Sequence, residues 1–188
     1  QTPESRVGKR RVVVTGMGIV SPVGSTLDSA WSNVLNGVSG IAPITRFDTS
    51  AFPCRFGGAV KDFQLDKYLP PKEARRMDEF MHYGIAAGID AMADSGIDLS
   101  KIDLDRAGVV TGSGIGGLYT IQEEHNAYLA ANSPRKISPF FVPASIINMI
   151  SGHVSIQFGF TGPNLSIVTA CTTGLHCIGE AGRLIEYG

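Results

Sequence analysis

Two cysteines and a histidine lie close together near the end of this 188-residue sequence, in the stretch VTACTTGLHCIG at residues 168–179. These residues, Cys171, His176 and Cys177, could form a metal site, a redox pair or the surroundings of one reactive thiol. Zinc sites usually place two ligands about two to four residues apart and add a second such pair, which this sequence does not offer. Residues five apart on a helix point in different directions, and a redox pair would need the Cys-x-x-Cys spacing. We therefore predict neither a metal site nor a redox pair.

The position of Cys171 suits a nucleophile. It follows an apolar, strand-like segment at 164–170 and precedes a helix-like segment at 172–188. At the start of a helix, unpaired backbone N–H groups and the helix dipole favour a thiolate, and they can stabilise an oxyanion that forms when sulfur attacks a carbonyl. This placement resembles a nucleophile elbow, a sharp turn from strand to helix that exposes the nucleophile. The alternative is a small buried apolar residue, since free cysteines often are, and the residues alone leave both open.

The other two cysteines are predicted to be packing residues. Cys177 would lie inside the helix at 172–188, on a different face from Cys171. Cys54 lies in an irregular segment interrupted by glycine and proline.

A basic cluster marks the beginning of a second helix-like segment, predicted over residues 71–95. Lys72, Arg75 and Arg76 have the spacing that places three side chains on one helical face. Cations in a first turn oppose the helix dipole, so a small acidic partner would benefit from the cluster. The alternative is a solvated surface, in which neighbouring acidic side chains weaken the positive field. Both interpretations stay open at this point.

Strand-like and helix-like segments alternate along the chain, which is typical of a parallel sheet covered by helices. We predict an α/β fold in one domain over residues 10–188, after a polar, flexible leader at 1–9. Residues 38–70 are predicted to form an irregular excursion with short strands, and 138–143 a proline-bounded link. The predicted strands span 10–16, 106–112 and 164–170, the first and last of them buried. The predicted helices span 25–37, 71–95, 118–132, 144–159 and 172–188.

Two glycine-rich turns follow predicted strands: GMGIVS at 16–21 and GSGIGG at 112–117. A dinucleotide-binding turn needs Gly-x-Gly-x-x-Gly and an acidic residue about 20 residues further on. Ser21 replaces the last glycine of the first turn, and the second turn lacks the acidic residue. We therefore predict tight turns that let a loop approach a site closely, and no nucleotide cofactor.

Composition narrows the class of partner. The net charge is −1, which argues against nucleic acid or anionic lipid as the main partner. Apolar stretches are broken well short of about 20 residues, so no membrane span is expected. No secretory signal is visible, and three cysteines do not build a disulfide framework. A reducing, cytoplasmic location is the simplest expectation.

Several long motifs, in order, resemble the β-ketoacyl-[acyl-carrier-protein] synthases, and in particular the type II elongating enzymes of bacterial fatty acid synthesis. The resemblance covers residues 10–188. The motifs on which it rests are RRVVVTGMGIVSPVG (10–24), the SGI and FDTSAF elements within 39–52, KEARRMDEF (72–80), GSGIGG (112–117), PRKISPFFVPASIINM (134–149) and GPNLSIVTACTTG (162–174).

The resemblance implies a thiolase-like fold, in which two similar halves build a layered α/β/α/β/α structure, usually a homodimer without a cofactor. It implies that Cys171 accepts an acyl chain from acyl carrier protein. Malonyl-carrier then loses CO2, and its carbanion attacks the acyl-cysteine to give a 3-oxoacyl thioester. It further implies that Ile115 gates the acyl pocket and that Phe140 lines it. The positions that meet the acidic carrier protein are Lys72, Arg75 and Arg76.

One departure from the family pattern is large. Catalytic histidines, a supporting lysine and the second oxyanion donor lie in a second half that this sequence does not contain, and His176 does not match any of them. We therefore expect an N-terminal half that cannot condense malonyl-carrier alone and that leaves apolar surface uncovered. Two alternatives stay open: a non-catalytic fragment that binds acyl carrier, and a ketosynthase domain of polyketide synthesis. Thiolases, which act on coenzyme A esters, are less favoured because of the basic cluster and the PFFVP segment.

Overall fold

The computed structural model describes residues 10–188, so the predicted leader at 1–9 lies outside the described residues. Seven α-helices and four short strands occur in this range, joined by 3₁₀ turns. The helices are α1 (Leu27–Leu35), α2 (Pro71–Ala74), α3 (Glu79–Ser95), α4 (Leu118–Ala131), α5 (Phe141–Ser145), α6 (Met149–Phe158) and α7 (Thr173–Tyr187). The strands are β1 (Ile41–Pro43), β2 (Phe56–Gly58), β3 (Val109–Gly112) and β4 (Asn164–Ile167).

A parallel strand pair lies at the centre of the domain. β3 pairs with β4 in parallel, with Val109 opposite Asn164 and Gly112 opposite Ile167. The crossover between them carries α4, α5 and α6, and both α6 and α7 contact the pair. A parallel pair joined by a helical crossover is the βαβ arrangement, so the predicted α/β class is confirmed.

The core forms where α3 packs against α6. Met81 and Ile85 of α3 are fully buried, and Ile150 and Val154 of α6 lie in the same cluster. Burying a side chain of this size stabilises the fold by roughly 1.5–3 kcal/mol. Gly84 permits the close contact, because a Cβ there would lie 2.8 Å from the Ile150 side chain. Met81 and Ile85 lie four residues apart, which places them on one face of α3.

Two residues inside the predicted helix range set the ends of α1. Thr26 is the N-cap: its hydroxyl accepts a hydrogen bond from the Ser29 N–H, and the Ser29 hydroxyl accepts one from the Thr26 N–H. Gly37 follows the helix with φ of 65°, a conformation that glycine adopts without penalty. Helix α1 therefore lies inside the predicted range of 25–37.

The prediction of one continuous helix over 71–95 is wrong. α2 ends at Ala74, the chain turns through Arg75 and Arg76, and α3 begins at Glu79 with Asp78 as its N-cap. The Asp78 carboxylate accepts from the Phe80 N–H, a group that a continuous helix would bond to one of its own carbonyls. Lys72, Arg75 and Arg76 are therefore not three residues of one helical face, although all three are exposed.

The prediction of a buried strand at 10–16 is also wrong. These residues form no strand, and Val12, Val13 and Val14 are 43%, 58% and 77% exposed. The segment lies against α3 instead, since a side chain at Gly16 or Gly18 would overlap the backbone of that helix. β-branched runs favour strands where they fit a pleated, half-buried surface, and within residues 10–188 the strand pairs are β1–β2 and β3–β4, neither of which includes this segment.

The segment 164–170 is only partly as predicted. β4 ends at Ile167, and burial on both faces is wrong because Leu165 and Val168 are 40% and 56% exposed. Further along the surface, Leu175 and Ile178 of α7 are 73% and 69% exposed. These side chains make the uncovered apolar surface that we expected, and patches of this kind mark places where another protein surface packs.

The segment 138–159 divides differently from the prediction. The predicted link at 138–143 contains the start of α5, and the predicted helix at 144–159 is represented by α6 after a break at Ile146. The remaining helices, α4 and α7, lie within the predicted ranges 118–132 and 172–188. None of the helices in residues 10–188 is long and apolar enough to cross a membrane.

The excursion at 38–70 contains short strands, as predicted. β1 and β2 pair antiparallel, with Ile41 opposite Gly58. Arg46 reaches back to α3, where its guanidinium contacts the Glu79 carboxylate at 2.7 Å. Both side chains are exposed, and exposed ion pairs contribute little to the free energy of unfolding. The pair therefore helps to orient the excursion and does little to stabilise the fold.

Candidate active site at Cys171

Cys171 lies in a 3₁₀ turn, Ala170–Thr172, between the end of β4 and the start of α7. We call this segment the Cys171 turn. Ala170 has φ of 52°, a left-handed conformation that costs a non-glycine residue of order 1–3 kcal/mol. Such a conformation persists only where the surroundings impose it. The strand-to-helix position and the strained backbone are both features of a nucleophile elbow.

The side chain of Thr173 holds the Cys171 turn in place. Its hydroxyl accepts a hydrogen bond from the Thr169 N–H at 2.9 Å and donates one to the Ala170 carbonyl at 2.7 Å. The Thr172 N–H also donates to the Thr169 carbonyl. Thr173 is 5% exposed, so these bonds are protected from water. The hydroxyl therefore spans the strained residue and fixes the backbone on both sides of it.

The structure separates the three residues of the opening cluster. Cys171 is exposed and Cys177 is buried, where burial raises the pKa of its thiol. His176 is exposed, with Nδ1 3.3 Å from the Thr169 hydroxyl. Among residues 10–188, no group of three or more His, Cys, Asp or Glu side chains could hold a metal ion. Cys177 is thus a packing residue, as predicted, whereas Cys171 is accessible, which argues against a buried apolar role for it.

The prediction for Cys54 is wrong. Its thiol is exposed in the excursion and donates to the Phe56 carbonyl at 3.5 Å. It does not pack into the core, because the strand pair β1–β2 that flanks it is itself largely exposed.

The second glycine-rich turn lies directly beside the Cys171 turn. A side chain at Gly112 would overlap the Ile167 carbonyl and the Thr173 methyl group, and a Cβ at Gly114 would lie 3.6 Å from the Ala170 carbonyl oxygen. Only glycine permits the first of these approaches. The prediction that this turn lets a loop approach a site closely is confirmed. We call residues 113–117 the glycine loop.

The structure does not bring Ile115 and Phe140 into one described cavity with Cys171. Ile115 projects from the glycine loop and is 70% exposed. Phe140 precedes α5 and is 38% exposed, with the Arg76 guanidinium 4.5 Å from its ring centroid. The assignments of Ile115 and Phe140 to an acyl pocket therefore stay predictions.

Two of the three basic residues lie near Phe140. Arg75, Arg76 and Phe140 line a cavity of about 140 Å³, together with Tyr119 and Ser138. Lys72 does not line it, because α2 ends between Lys72 and the arginines. The tertiary structure thus divides the cluster: the arginines approach an aromatic side chain, and the lysine stays on α2.

Sequence reasoning missed the role of Asp78. This residue is 6% exposed, and its Oδ2 accepts hydrogen bonds from the Thr120 N–H at 2.8 Å and from the Thr120 hydroxyl at 2.7 Å. It links the start of α3 to the start of α4. The available signal was Asp78 itself, since Asp is a preferred N-cap residue, but its distant partner Thr120 left no trace in the local pattern.

Comparison with known proteins adds the following findings. Residues 9–188 match the family described as "Beta-ketoacyl synthase, N-terminal domain". The chain is 55% identical over 182 residues to 3-oxoacyl-[acyl-carrier-protein] synthase 2 of Vibrio harveyi, covering 97% of this chain and 44% of that protein. It is 49% identical over 179 residues to the protein of the same name from Coxiella burnetii, covering 95% and 43%. The chain thus spans less than half the length of these curated relatives.

Among solved structures, the chain is similar to one described as a type II polyketide synthase acyl carrier protein in complex with its ketosynthase bound to the hexaketide. The TM-score is 0.78 at 27% identity, over 96% of this chain and 48% of that one. The thiolase-like fold expected from the sequence is therefore confirmed for the part of the chain that the structure describes.

Proposed function

The chain belongs to the β-ketoacyl synthase family, of which it carries the N-terminal domain, and on that premise we propose that it supplies the nucleophile of a 3-oxoacyl-[acyl-carrier-protein] synthase. The observation that carries the proposal is the exposed thiol of Cys171 in a strained turn at the start of α7. The fatty acid pathway is favoured because the curated relatives named 3-oxoacyl-[acyl-carrier-protein] synthase 2 are 45–56% identical, against 27% for the polyketide ketosynthase.

In the first proposed step, the Cys171 thiolate, whose proton has passed to solvent, attacks the carbonyl carbon of an acyl thioester on the carrier protein. A new C–S bond forms and the carbonyl oxygen becomes an oxyanion, for which the backbone N–H of Cys171 is one proposed donor. The resemblance places the second donor in the other half of the enzyme. The intermediate then collapses, the carrier leaves as its thiolate, and the acyl chain stays on Cys171.

In the second proposed step, malonyl-carrier loses CO2 and the carbanion attacks the acyl-cysteine. The new C–C bond lengthens the chain by two carbons, and the Cys171 thiolate leaves. Stabilising the enolate requires hydrogen-bond donors or acids. The resemblance places them in the second half of the enzyme, so we expect 188 residues alone to yield no 3-oxoacyl product.

The carrier protein is the proposed partner, and Lys72, Arg75 and Arg76 the proposed docking residues. All three are exposed cations, and the arginines adjoin Phe140, which we propose to line the acyl pocket that Ile115 gates. A homodimer in the cytoplasm is part of the same proposal. The dimer interface in this proposal covers some of the apolar surface that is exposed on the single chain.

Covalent labelling tests the nucleophile. The complete synthase is treated with an electrophilic epoxide of the cerulenin type, and the adduct is located by peptide mass spectrometry. We expect the adduct at Cys171 and its loss in Cys171→Ala, with Cys54→Ala as the matched control that keeps it. An adduct confined to Cys54 or Cys177 would refute the assignment of Cys171, whereas 3-oxoacyl product from the 188-residue chain alone would refute the expectation that condensation needs the second half.

A further inference from the structure

Asp78 is a buried carboxylate that the reaction steps above do not use. Its two oxygens face the N-termini of two different helices. Oδ1 is 3.4 Å from the Phe80 N–H in the first turn of α3, and Oδ2 accepts both hydrogen bonds from Thr120 in the first turn of α4. A carboxylate at a helix N-terminus satisfies unpaired N–H groups and complements the dipole. Here one carboxylate does so for two helices.

Helix α4 depends on Asp78 because its own N-cap residue cannot supply a side chain. That residue is Gly117, which is buried and approaches Asp78 so closely that a Cβ there would lie 3.2 Å from the Asp78 Cβ. The Gly117 N–H donates to the Ser145 carbonyl at 2.9 Å. The C-terminal end of the glycine loop is therefore held by Asp78 through Thr120 and by Ser145 directly.

The other end of the glycine loop is held beside the nucleophile. Gly112 lies against Ile167 and Thr173, and Gly114 lies against Ala170, as described above. Within the loop, the Ser113 hydroxyl accepts a hydrogen bond from the Gly116 N–H at 3.0 Å. Ile115 thus sits on a short span whose ends are fixed by the Cys171 turn and by the Asp78–Thr120 contact.

Asp78 also lies two residues after Arg76, one of the proposed docking residues, with Met77 between them. We propose that Asp78 is a positioning residue: it holds the glycine loop in register with the Cys171 turn and so sets the acyl chain length that Cys171 accepts. This inference rests on the proposed function. Asp78 acts through Ile115 and touches neither the acyl chain nor Cys171.

The test measures selectivity and carrier affinity separately in the complete synthase. The variants are Asp78→Asn, which removes the charge at constant size, and Thr120→Val, which removes only the hydroxyl donor. Thr120→Ser keeps the hydroxyl donor and loses only the methyl group. Asp105→Asn is the matched control, because Asp105 also accepts a hydrogen bond from a threonine hydroxyl, that of Thr161, but at an exposed position.

Each protein is given carrier loaded with a short or a long saturated acyl chain, and acylation of Cys171 is followed by intact-protein mass spectrometry. We expect Asp78→Asn and Thr120→Val to move the ratio of the two acylation rates towards one by about three- to tenfold, the range that the net contribution of one intramolecular hydrogen bond predicts. Thr120→Ser and Asp105→Asn keep the wild-type ratio. The Kd for unloaded carrier stays within about twofold of wild type in all four.

Two results would overturn the inference, and they are distinguishable from failure of the proposed function. A lower melting temperature of Asp78→Asn and Thr120→Val with an unchanged ratio would show that Asp78 only stabilises the fold. The same ratio of acylation rates in Thr120→Val and Thr120→Ser would show that the hydroxyl contact does not position the loop. Wild-type synthase that forms no acyl-Cys171 would instead refute the proposed function itself. If Asp78→Asn does not fold, the milder Thr120 pair decides the question.

Discussion

Replacing Thr173 by valine tests whether the strained turn at Cys171 is imposed by one hydroxyl group. Valine keeps the shape of threonine but removes the oxygen that accepts from the Thr169 N–H and donates to the Ala170 carbonyl. Thr173→Ser is the matched control, since it keeps the hydroxyl and loses only a methyl group. Both variants are made in the complete synthase.

The magnitude follows from the two hydrogen bonds. Because Thr173 is 5% exposed, the Thr169 N–H loses its partner where water enters poorly, at a cost of about 1–3 kcal/mol. In the complete synthase, whose relatives are more than twice as long as this chain, each kcal/mol lowers the melting temperature by roughly 1–2 °C. Once the clamp is gone, Ala170 can leave its φ of 52° and recover about 1–3 kcal/mol of strain, and each 1.4 kcal/mol or so corresponds to a tenfold change in the population of the active turn.

The assay compares unfolding and chemistry in the same proteins. We expect Thr173→Val to lower the melting temperature by several degrees and to slow acylation of Cys171 by roughly tenfold, with Thr173→Ser close to wild type in both. Acylation is measured as the first turnover, so that condensation does not contribute. A Thr173→Val protein with the lower melting temperature but the wild-type acylation rate would refute the argument that the strained turn serves the nucleophile.

Three further predictions concern other parts of the domain. Iodoacetamide should modify Cys171 in the native protein and Cys177 only after unfolding, as peptide mass spectrometry will show, because burial shields the Cys177 thiol and raises its pKa. Arg76→Ala and Phe140→Ala should show a coupling of about 0.5–1 kcal/mol in a double-mutant cycle of unfolding, since the guanidinium lies 4.5 Å from the ring centroid. Burial lowers the pKa of His153, so the unfolded chain binds its proton first and stability falls as the pH drops through about 6.5; His153→Gln should flatten that part of a denaturation-versus-pH curve.

Each of these predictions has an outcome that contradicts it. Equal native labelling of Cys171 and Cys177 would show that α7 opens readily. Additive effects of Arg76→Ala and Phe140→Ala would mean that the two side chains do not interact in solution. An unchanged slope in His153→Gln would assign the acid sensitivity to another group.

Local signals predicted those elements whose ends are set by their own residues. Thr26 caps the start of α1 and Gly37 follows its end, and α7 begins at Thr173, within the predicted range. These ends were predictable because capping acts within a few residues of the helix. The break at Arg75–Asp78 escaped the same reasoning. Apolar periodicity continued across it, while the N-cap that starts α3 is stabilised by Thr120, 42 residues away.

Strand burial shows the same limit. The valines at 12–14 and Leu165 have the composition of buried strands, yet they are exposed in the part of the chain that the structure describes. Burial depends on which surfaces pack above and below a strand, and composition cannot report whether those surfaces are present.

The sequence by itself determined the family, the α/β class and the identity of the candidate nucleophile. The order of the motifs and the placement of Cys171 between strand and helix are properties of the linear chain. Only the tertiary structure decided how that thiol is presented: the left-handed Ala170, the Thr173 clamp and the glycine loop held by Asp78. These features join residues that are distant along the chain, and their geometry is set by packing between elements, which no local pattern encodes.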